Sequence, residues 1–393
     1  MKIDPYNHKE NYLKWKEKNR DKIQDISEFN SRLILDYLYD MENGLNVATG
    51  SKKGARSYIR LCSIKLRLVF LLKQLEKKFQ TYKITEITER QLHSFFTDMR
   101  NGTIKKARGT EYKSTADYVK NFKAFWHWYQ KVNRKKGIEI QDITSDLDIS
   151  RVKPDWVYLT EEEIKNLCNN AKYEYKVLIM FLFDSGIRAP TELMNIRVSD
   201  FYDNFKELNI RDEISKTFGR RIKLMLCSEL IKDYIKNKNL GLDDYVFKIS
   251  PPSVNQYLKR LGERILGDIA SPAGQKYSEL TMYDFRHCSC CYWLPRYKSE
   301  SALKFRFGWK KSDKIHYYSE MLGMRDTIRE EDILLDVTKT ELERQLIKTG
   351  NENGILKDRV QILEAQMQRI SQMLNFSINT GKQIVVVDRQ QNY

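Results

Sequence analysis

The sequence predicts a mainly α protein with a small β-hairpin or sheet: a helical first domain, a mixed α/β second domain and a C-terminal coiled coil. Three observations predict it. Apolar residues at helical spacing dominate residues 30–145, one pair of short strand-like segments interrupts the helical patterns after residue 155, and a heptad array closes the chain. At 393 residues the chain is too long for one ordinary core, and its 41% hydrophobic content suffices for more than one. The expected boundaries are a helical domain at 1–150, the mixed domain at 155–330, the coiled-coil helix at 335–377 and a tail at 378–393.

From Ser57 to Phe79, residues Leu61, Ile64, Leu68, Leu71, Leu72, Leu75 and Phe79 trace one helical face. Leu66, Val69 and Phe70 lie off that face and predict burial on more than one side. Thr88 to Met99 repeats the pattern with Leu92, Phe95 and Phe96. Ala116 to Lys131 carries Tyr118, Phe122, Phe125, Trp126 and Tyr129, a spacing that reads as a core face rather than a base-stacking platform. Charge, Pro154 and a loss of periodicity make Asp146 to Trp156 a linker.

The second domain opens on Thr160-Glu161-Glu162-Glu163, a capping box in which threonine and the third glutamate satisfy each other's amides. Val177 to Asp184 follows as a buried helix, ended by Ser185-Gly186, where glycine supplies the left-handed turn. Glu207–Ile210 and Arg221–Leu226 read as two strands joined by a polar turn, and Pro252–Gly267 and the residues from Tyr283 onward return to helix. In the last module, positions 342, 346, 349, 353, 356, 360, 363, 367, 370 and 374 alternate steps of four and three, and eight of the ten are apolar. That is a seam of roughly 50 Å, with Asn353 at a position where a buried asparagine favours a parallel dimer. A single helix packed within the chain is the alternative for this segment. The tail contains Ile384-Val385-Val386-Val387, one short strand.

Sixty-nine Lys and Arg stand against 53 Asp and Glu, for a net charge of +16, which points to a polyanionic partner, nucleic acid first. A membrane surface calls for a concentrated basic amphipathic helix, whereas here the basic residues are spread along the chain. The opening is polar, and the most apolar run, Val177–Phe183, is far shorter than the ~20 residues of a membrane span. A cytoplasmic, nucleoid-associated location is therefore expected. Two basic glycine-containing loops suit phosphate contact, one with Lys52, Lys53 and Arg56, the other with Lys105, Lys106 and Arg108. Plain solvated loops are the alternative for each. Six cysteines in such a chain are expected to be reduced thiols. The run His287-Cys288-Ser289-Cys290-Cys291 lacks the separated second ligand pair of a zinc site, so thiols packed in a helix are expected and no metal.

Three polar patches then stand out in the second domain. They are Asp184-Ser185-Gly186-Ile187-Arg188-Ala189-Pro190-Thr191-Glu192-Leu193, Lys216 in the turn of the hairpin, and Tyr283-Asp284-Phe285-Arg286-His287 followed by Gly308-Trp309 and Tyr317-Tyr318. In this order they resemble the catalytic domain of the tyrosine recombinases, the phage integrase family, over about residues 155–325. The register is the specific part: Arg286 precedes Gly308 by 22 residues, Trp309 by 23 and Tyr318 by 32. The first domain is similar to the family's core-binding domain, and the Gly308-Trp309 pair with the C-terminal extension looks similar to archaeal integrases.

The resemblance implies a DNA strand transferase that works through a 3′-phosphotyrosyl intermediate, without ATP, metal or other cofactor. Tyr318 would be the nucleophile, with Tyr317 its neighbouring alternative. Arg188 and Arg286 would present forked donors to the non-bridging oxygens, and Lys216 would protonate the leaving 5′ oxygen. Trp309 would hydrogen-bond a phosphate oxygen through its indole N–H. Two positions depart from the family pattern. Tyr283 stands where the family has His or Lys, and a phenol is a poor base at neutral pH. Glu192 follows Arg188 by four residues rather than three, which leaves its supporting role open; His287, next to Arg286, could assist proton transfer, although its family counterpart more often braces the site. The partners implied are double-stranded DNA and further copies of the chain: a dimer through the coiled coil, and a tetramer on paired sites of a mobile element. Two alternatives remain open at this point. A type IB topoisomerase would relax supercoils without recombinant product, and a degenerate DNA-binding regulator would lack Arg188, Arg286 or Tyr318.

Overall fold

The apolar stripes of the first third condense into five helices: α1 (His8–Lys18), α2 (Glu28–Asn43), α3 (Tyr58–Phe79), α4 (Glu89–Arg100) and α5 (Thr115–Arg134). They are seen in a computed structural model that describes residues 2–48, 50–106, 109–151, 153–297, 299–321 and 337–380. Thr88 starts α4 with a capping box, its amide donating to Gln91 Oε1 at 2.9 Å while the Gln91 amide donates to Thr88 Oγ1 at 3.3 Å. On α3, the stripe from Leu61 to Leu75 is buried in one core with Leu92, Phe95, Phe122, Phe125 and Trp126. Each such side chain contributes about 1.5–3 kcal/mol relative to exposure. The expectation of a second buried side of α3 holds only in part. Phe70 packs against Tyr112 and Tyr118, but Leu66 is 65% exposed, on a turn that those two rings do not reach.

A second core gathers residues from Trp156 to Tyr318. It is built from α6 (Glu161–Asn170), α7 (Tyr173–Ser185), α8 (Ser228–Asn237), α9 (Pro251–Leu266), α10 (Met282–Trp293), α11 (Glu300–Phe307) and α12 (Asp313–Met321). Beside them lies a three-stranded antiparallel sheet in the order β1 (Phe201–Tyr202), β2 (Glu207–Ile210), β3 (Arg220–Lys223). Leu208 lies opposite Ile222, and alternate residues Leu208, Ile210 and Ile222 enter the core. The expected hairpin is there; β1 is the addition, too short at two residues to leave a period. Thr160 caps α6 as anticipated, and Glu163 Oε2 accepts from the Thr160 amide at 2.7 Å. Helix α7 is buried nearly all round and packs along α10, so the chain's most apolar run sits at the centre of this domain.

The linker carries polar ties between the two cores, with Lys113 paired to Asp155. A second tie comes from the N-terminal segment. The Ile3 amide donates to Asn195 Oδ1 at 2.6 Å, and Asn195 Nδ2 donates back to the Ile3 carbonyl at 2.9 Å. A separate unit contains α13 (Val337–Thr380), a 44-residue helix that runs past the expected end at 377. Leu346, Leu356, Val360, Leu363 and Met367 of the heptad array are exposed along it. Gly323 and the expected tail strand Ile384–Val387 lie outside the described residues. No helix among the described residues is long and apolar enough to cross a membrane.

Candidate active site

Helix α7 ends on Gly186, whose φ of 58° turns the chain out of the helix. A Cβ at this position would lie 2.4 Å from the Phe307 ring and 2.8 Å from Ser289 Oγ. Gly186→Ala is expected to destabilise the domain by about 2–4 kcal/mol through left-handed strain plus overpacking. The measurement is a urea midpoint that falls at unchanged slope.

The turn after Gly186 presents Arg188. The C-terminus of α11 lies across from it, with carbonyls that no helical amide can reach. Three consecutive carbonyls there each take an arginine. Arg220 Nε donates to the Arg306 oxygen at 2.8 Å, Arg286 Nη2 to the Phe307 oxygen at 2.6 Å, and Arg188 Nη2 to the Gly308 oxygen at 2.9 Å. Arg286, on α10, also donates to the Gly186 carbonyl. Among the described residues, a single carboxylate pairs with these cations. Glu192, 1% exposed, takes Arg188 Nη1 at 2.9 Å and Arg220 Nη2 at 2.9 Å, and accepts from the Arg188 amide at 2.9 Å. Burial alone would push this carboxyl up, but Arg220 and Arg188 outweigh it and hold the group at about 2. The extra residue between Arg188 and Glu192 thus closes a one-turn loop, with the carboxylate folded back on its own arginine.

Three guanidiniums against one carboxylate leave a buried surplus of positive charge. Burial and the neighbouring Arg188 lower the Arg286 guanidinium to about 10, so it remains charged at neutral pH. Arg306 and Asp184 form a separate buried ion pair at 3.1 Å that supports the floor of the site. Asp184 Oδ2 also accepts the amides of Leu226 and Cys227 at 2.7 and 3.0 Å, and Arg306 Nη1 donates to the Lys223 carbonyl at 2.9 Å. These bonds tie α7, α11 and the end of the sheet together.

On α10, one turn brings Tyr283, Arg286 and His287 to the same side. Asp284 anchors the start of the helix by accepting from the Thr281 amide at 2.8 Å and the Val157 amide at 3.0 Å. Tyr283 is 49% exposed and meets the His287 ring edge-on at 5.1 Å. The His287 imidazole stacks on Trp156 at 4.7 Å, and its Nδ1 lies 2.6 Å from the Tyr318 phenol oxygen. Tyr318, on α12, is 4% exposed and stacks parallel to Trp309 at 5.8 Å, while Trp309 stacks on Phe307 at 5.0 Å. Burial pushes the Tyr318 phenol well above its ordinary value, against the opposing pull of Arg286. Tyr317 turns the other way, its hydroxyl 3.4 Å from the Pro154 carbonyl.

The structure therefore brings together Arg188, Glu192, Arg286, His287, Trp309 and Tyr318, with Tyr283 at the rim. Lys216 is exposed in the β2–β3 connection, beside Thr217, whose hydroxyl donates to the Gly308 carbonyl at 2.8 Å. Sequence reasoning missed Arg220, Thr217 and Trp156. Arg220 falls one residue before the expected strand, and Trp156 closes what reads as a linker, so neither carries a one-dimensional signal of its role. Cys288, Cys290 and Cys291 are buried on α10, and burial raises all three thiols, leaving them neutral packing groups.

In the first domain, Lys52, Lys53, Lys105 and Lys106 are exposed, while Arg56 is half-buried and donates to the Lys52 carbonyl at 2.6 Å. Arg108 lies outside the described residues. Lys52 and Arg56 line a cleft of about 300 Å³ with Arg60, and a neighbouring one of about 410 Å³ is lined by Lys131, Arg134 and Lys135. These three residues at the C-terminal end of α5 and just beyond it add a basic surface that the loop motifs did not suggest.

The fold defines the class: a mainly helical protein whose second domain has the fold of tyrosine recombinase catalytic domains. Residues 157–322 match the phage integrase family, and this chain carries a domain of that family. Among solved structures, the Tn1549 transposon integrase in complex with transposon right end DNA matches at 14% identity and a TM-score of 0.53, covering 80% of this chain and 98% of that one. A lambda integrase dimer bound to a COC′ core site matches at 14% identity and a TM-score of 0.56, covering 84% and 85%. The XerH recombinase bound to a palindromic difH substrate matches at 14% identity and 0.52, covering 79% and 90%. At such identity the likeness is one of fold. No curated protein matches the sequence.

Proposed function

We propose that this chain is a site-specific DNA recombinase of the integrase type, which cleaves and rejoins strands through a 3′-phosphotyrosyl bond on Tyr318. The observation that carries this reading is the buried cationic surplus beside the Tyr318 phenol. Glu192 pairs with Arg188 and Arg220 while Arg286 donates to backbone carbonyls beside them, and a phosphodiester would supply the missing negative charge. Arg188 and Arg286 would bind the non-bridging oxygens and hold the pentacoordinate phosphorane. Lys216, in a loop joined to the site through Thr217, would reach the leaving 5′ oxygen. Trp309 would turn its indole N–H toward a phosphate oxygen. The new bond stores the energy of the old one, so religation needs no nucleotide.

The reading is tested with a suicide duplex nicked next to the cleavage site, followed by peptide mass analysis of the trapped adduct. A DNA-linked peptide containing Tyr318 is the expected result; a link elsewhere, or none, overturns the assignment.

The first domain would hold duplex DNA through Lys52, Lys53, Arg56, Lys105 and Lys106, extended by Lys131 and Arg134 of α5 and Lys135 just beyond it. Two recombining duplexes need four active sites, and α13 is the segment assigned to assembly, as a parallel dimer along its heptad seam. The exposed seam residues Leu346, Leu356, Val360, Leu363 and Met367 support this. Replacing Leu356 and Leu363 together by Glu is expected to lower the sedimentation-derived mass to that of one chain. An unchanged mass would remove the helix from the assembly.

A further inference from the structure

Tyr283 occupies the position where a proton-carrying side chain is expected, yet it is half-exposed and touches His287 rather than the nucleophile. The group in contact with the nucleophile is the next titratable residue on the same helical face. His287 Nδ1 lies 2.6 Å from the Tyr318 oxygen, within the range of a short O–H···N bond. Its ring is clamped, with Trp156 stacked 4.7 Å away on one face at an interplanar angle of 29° and the Tyr283 edge 5.1 Å away. Trp156 is itself fixed, its amide donating to the Ala273 carbonyl at 3.3 Å and its carbonyl accepting from the Gln275 amide at 3.3 Å. The imidazole is therefore held in one orientation by the segment that opens the catalytic domain.

We infer that His287, through Nδ1, is the group that takes the phenol proton as Tyr318 attacks phosphorus, and that Trp156 is the residue that positions it. This rests on the strand-transfer reading given above and adds to it the identity of the proton acceptor. The step balances. The Tyr318 O–H bond breaks and its proton passes to Nδ1, whose acceptor form carries the other proton on Nε2. The phenolate electron pair forms the bond to phosphorus, the bond from phosphorus to the 5′ oxygen breaks, and that oxygen takes a proton from Lys216. Religation runs the same transfers backwards, so the imidazolium returns its proton to Tyr318.

An imidazole in this role gives an acid limb to the rate of covalent capture, because its protonated form cannot accept. The other groups around the pair do not supply that limb. On α10 these are Tyr283, Arg286, Cys290 and Cys291. On α12 the neighbour is Tyr317, and the Trp156 segment brings Lys153 and Asp155 toward Tyr317. Both thiols are shifted upward by burial and stay neutral, while Arg286 at about 10 stays charged.

The experiment is the single-turnover rate of adduct formation on the suicide duplex as a function of pH, with wild type, His287→Asn, His287→Ala and Tyr283→Phe. DNA affinity and melting temperature are read on each variant. The wild-type rate is expected to fall on the acid side and to level off as the pH rises. His287→Asn keeps a hydrogen-bonding amide but cannot take a proton. It is expected to lose about 10²- to 10⁴-fold in rate and the acid limb with it. Added imidazole is expected to restore part of the rate to His287→Ala, and Tyr283→Phe to keep the limb. A His287→Asn variant that retains both rate and limb would overturn the proposal, as would loss of the limb in Tyr283→Phe alone. Should His287→Ala fail to fold, the Asn variant and the Tyr283 arm still decide. Absence of any adduct from the wild-type chain would instead remove the strand-transfer reading, and this proposal with it.

Discussion

Tyr318→Phe is expected to abolish covalent DNA capture while leaving DNA affinity and fold in place. The ring is 4% exposed, and its parallel stack on Trp309 involves only carbon faces, which phenylalanine reproduces. What is lost is the oxygen proposed as nucleophile and one hydrogen bond to His287, the latter worth about 1 kcal/mol. Without the oxygen no phosphotyrosyl bond can form, whatever the arginines do. The measurement is the fraction of a labelled suicide duplex that stays protein-bound in SDS, compared with retention in a native gel. An SDS-resistant product from Tyr318→Phe would place the nucleophile elsewhere. Tyr317 is poorly placed for that role, since its hydroxyl faces the Pro154 carbonyl.

The second large effect belongs to Glu192. Among the described residues this carboxylate alone pairs with Arg188 and Arg220, both held against carbonyls at the end of α11, so Glu192→Gln leaves two largely buried guanidiniums without their counter-charge. Breaking one partner of a buried pair costs about 3–5 kcal/mol. The variant should therefore melt well below the wild type and lose strand cleavage beyond what its residual folded fraction explains, because Arg188 is no longer oriented. The same group sets a pH dependence with a definite sign. Its folded value of about 2 lies below the ordinary 4.5, so its contribution is complete above 4.5 and disappears as pH falls from there toward 2. That difference corresponds to roughly 3 kcal/mol. Urea midpoints recorded down that range should fall in the wild type, and this part of the fall should be missing in Glu192→Gln. Parallel curves for the two proteins would show that the carboxylate is not held ionised by its arginines.

Much of this was legible from residue order alone. Helical periods located α3, α4 and α5, the Thr160 capping box located α6, and two short alternating segments located β2 and β3. Arg188, Arg286, Trp309 and Tyr318 could be picked out by counting, because each sits at a fixed place on a helix or just beyond its end. The remainder was illegible for a physical reason: it depends on where different elements meet. Three arginines from a turn, a strand and a helix converge on the last carbonyls of α11, and nothing in the spacing of positions 188, 220 and 286 announces it. Trp156 reads as linker until α10 packs beneath it and the indole covers His287. Leu66 reads as a second buried face and is not, since Tyr112 and Tyr118 pack on Phe70, one turn farther along α3, and leave Leu66 exposed.

The burial of Tyr318 between Trp309 and His287 bears on how such an enzyme would discriminate among DNA sequences. A phosphorus atom cannot meet an oxygen closed in by an indole and an imidazole, so the aromatic stack must loosen before the first bond forms. The free energy for that loosening has to come from contacts between protein and duplex. A sequence making most of those contacts still binds, but populates the opened arrangement less often. Selectivity would then appear in the turnover step more than in occupancy, as in induced fit generally. Chance encounters along a genome would leave the tyrosine latent and the strands intact.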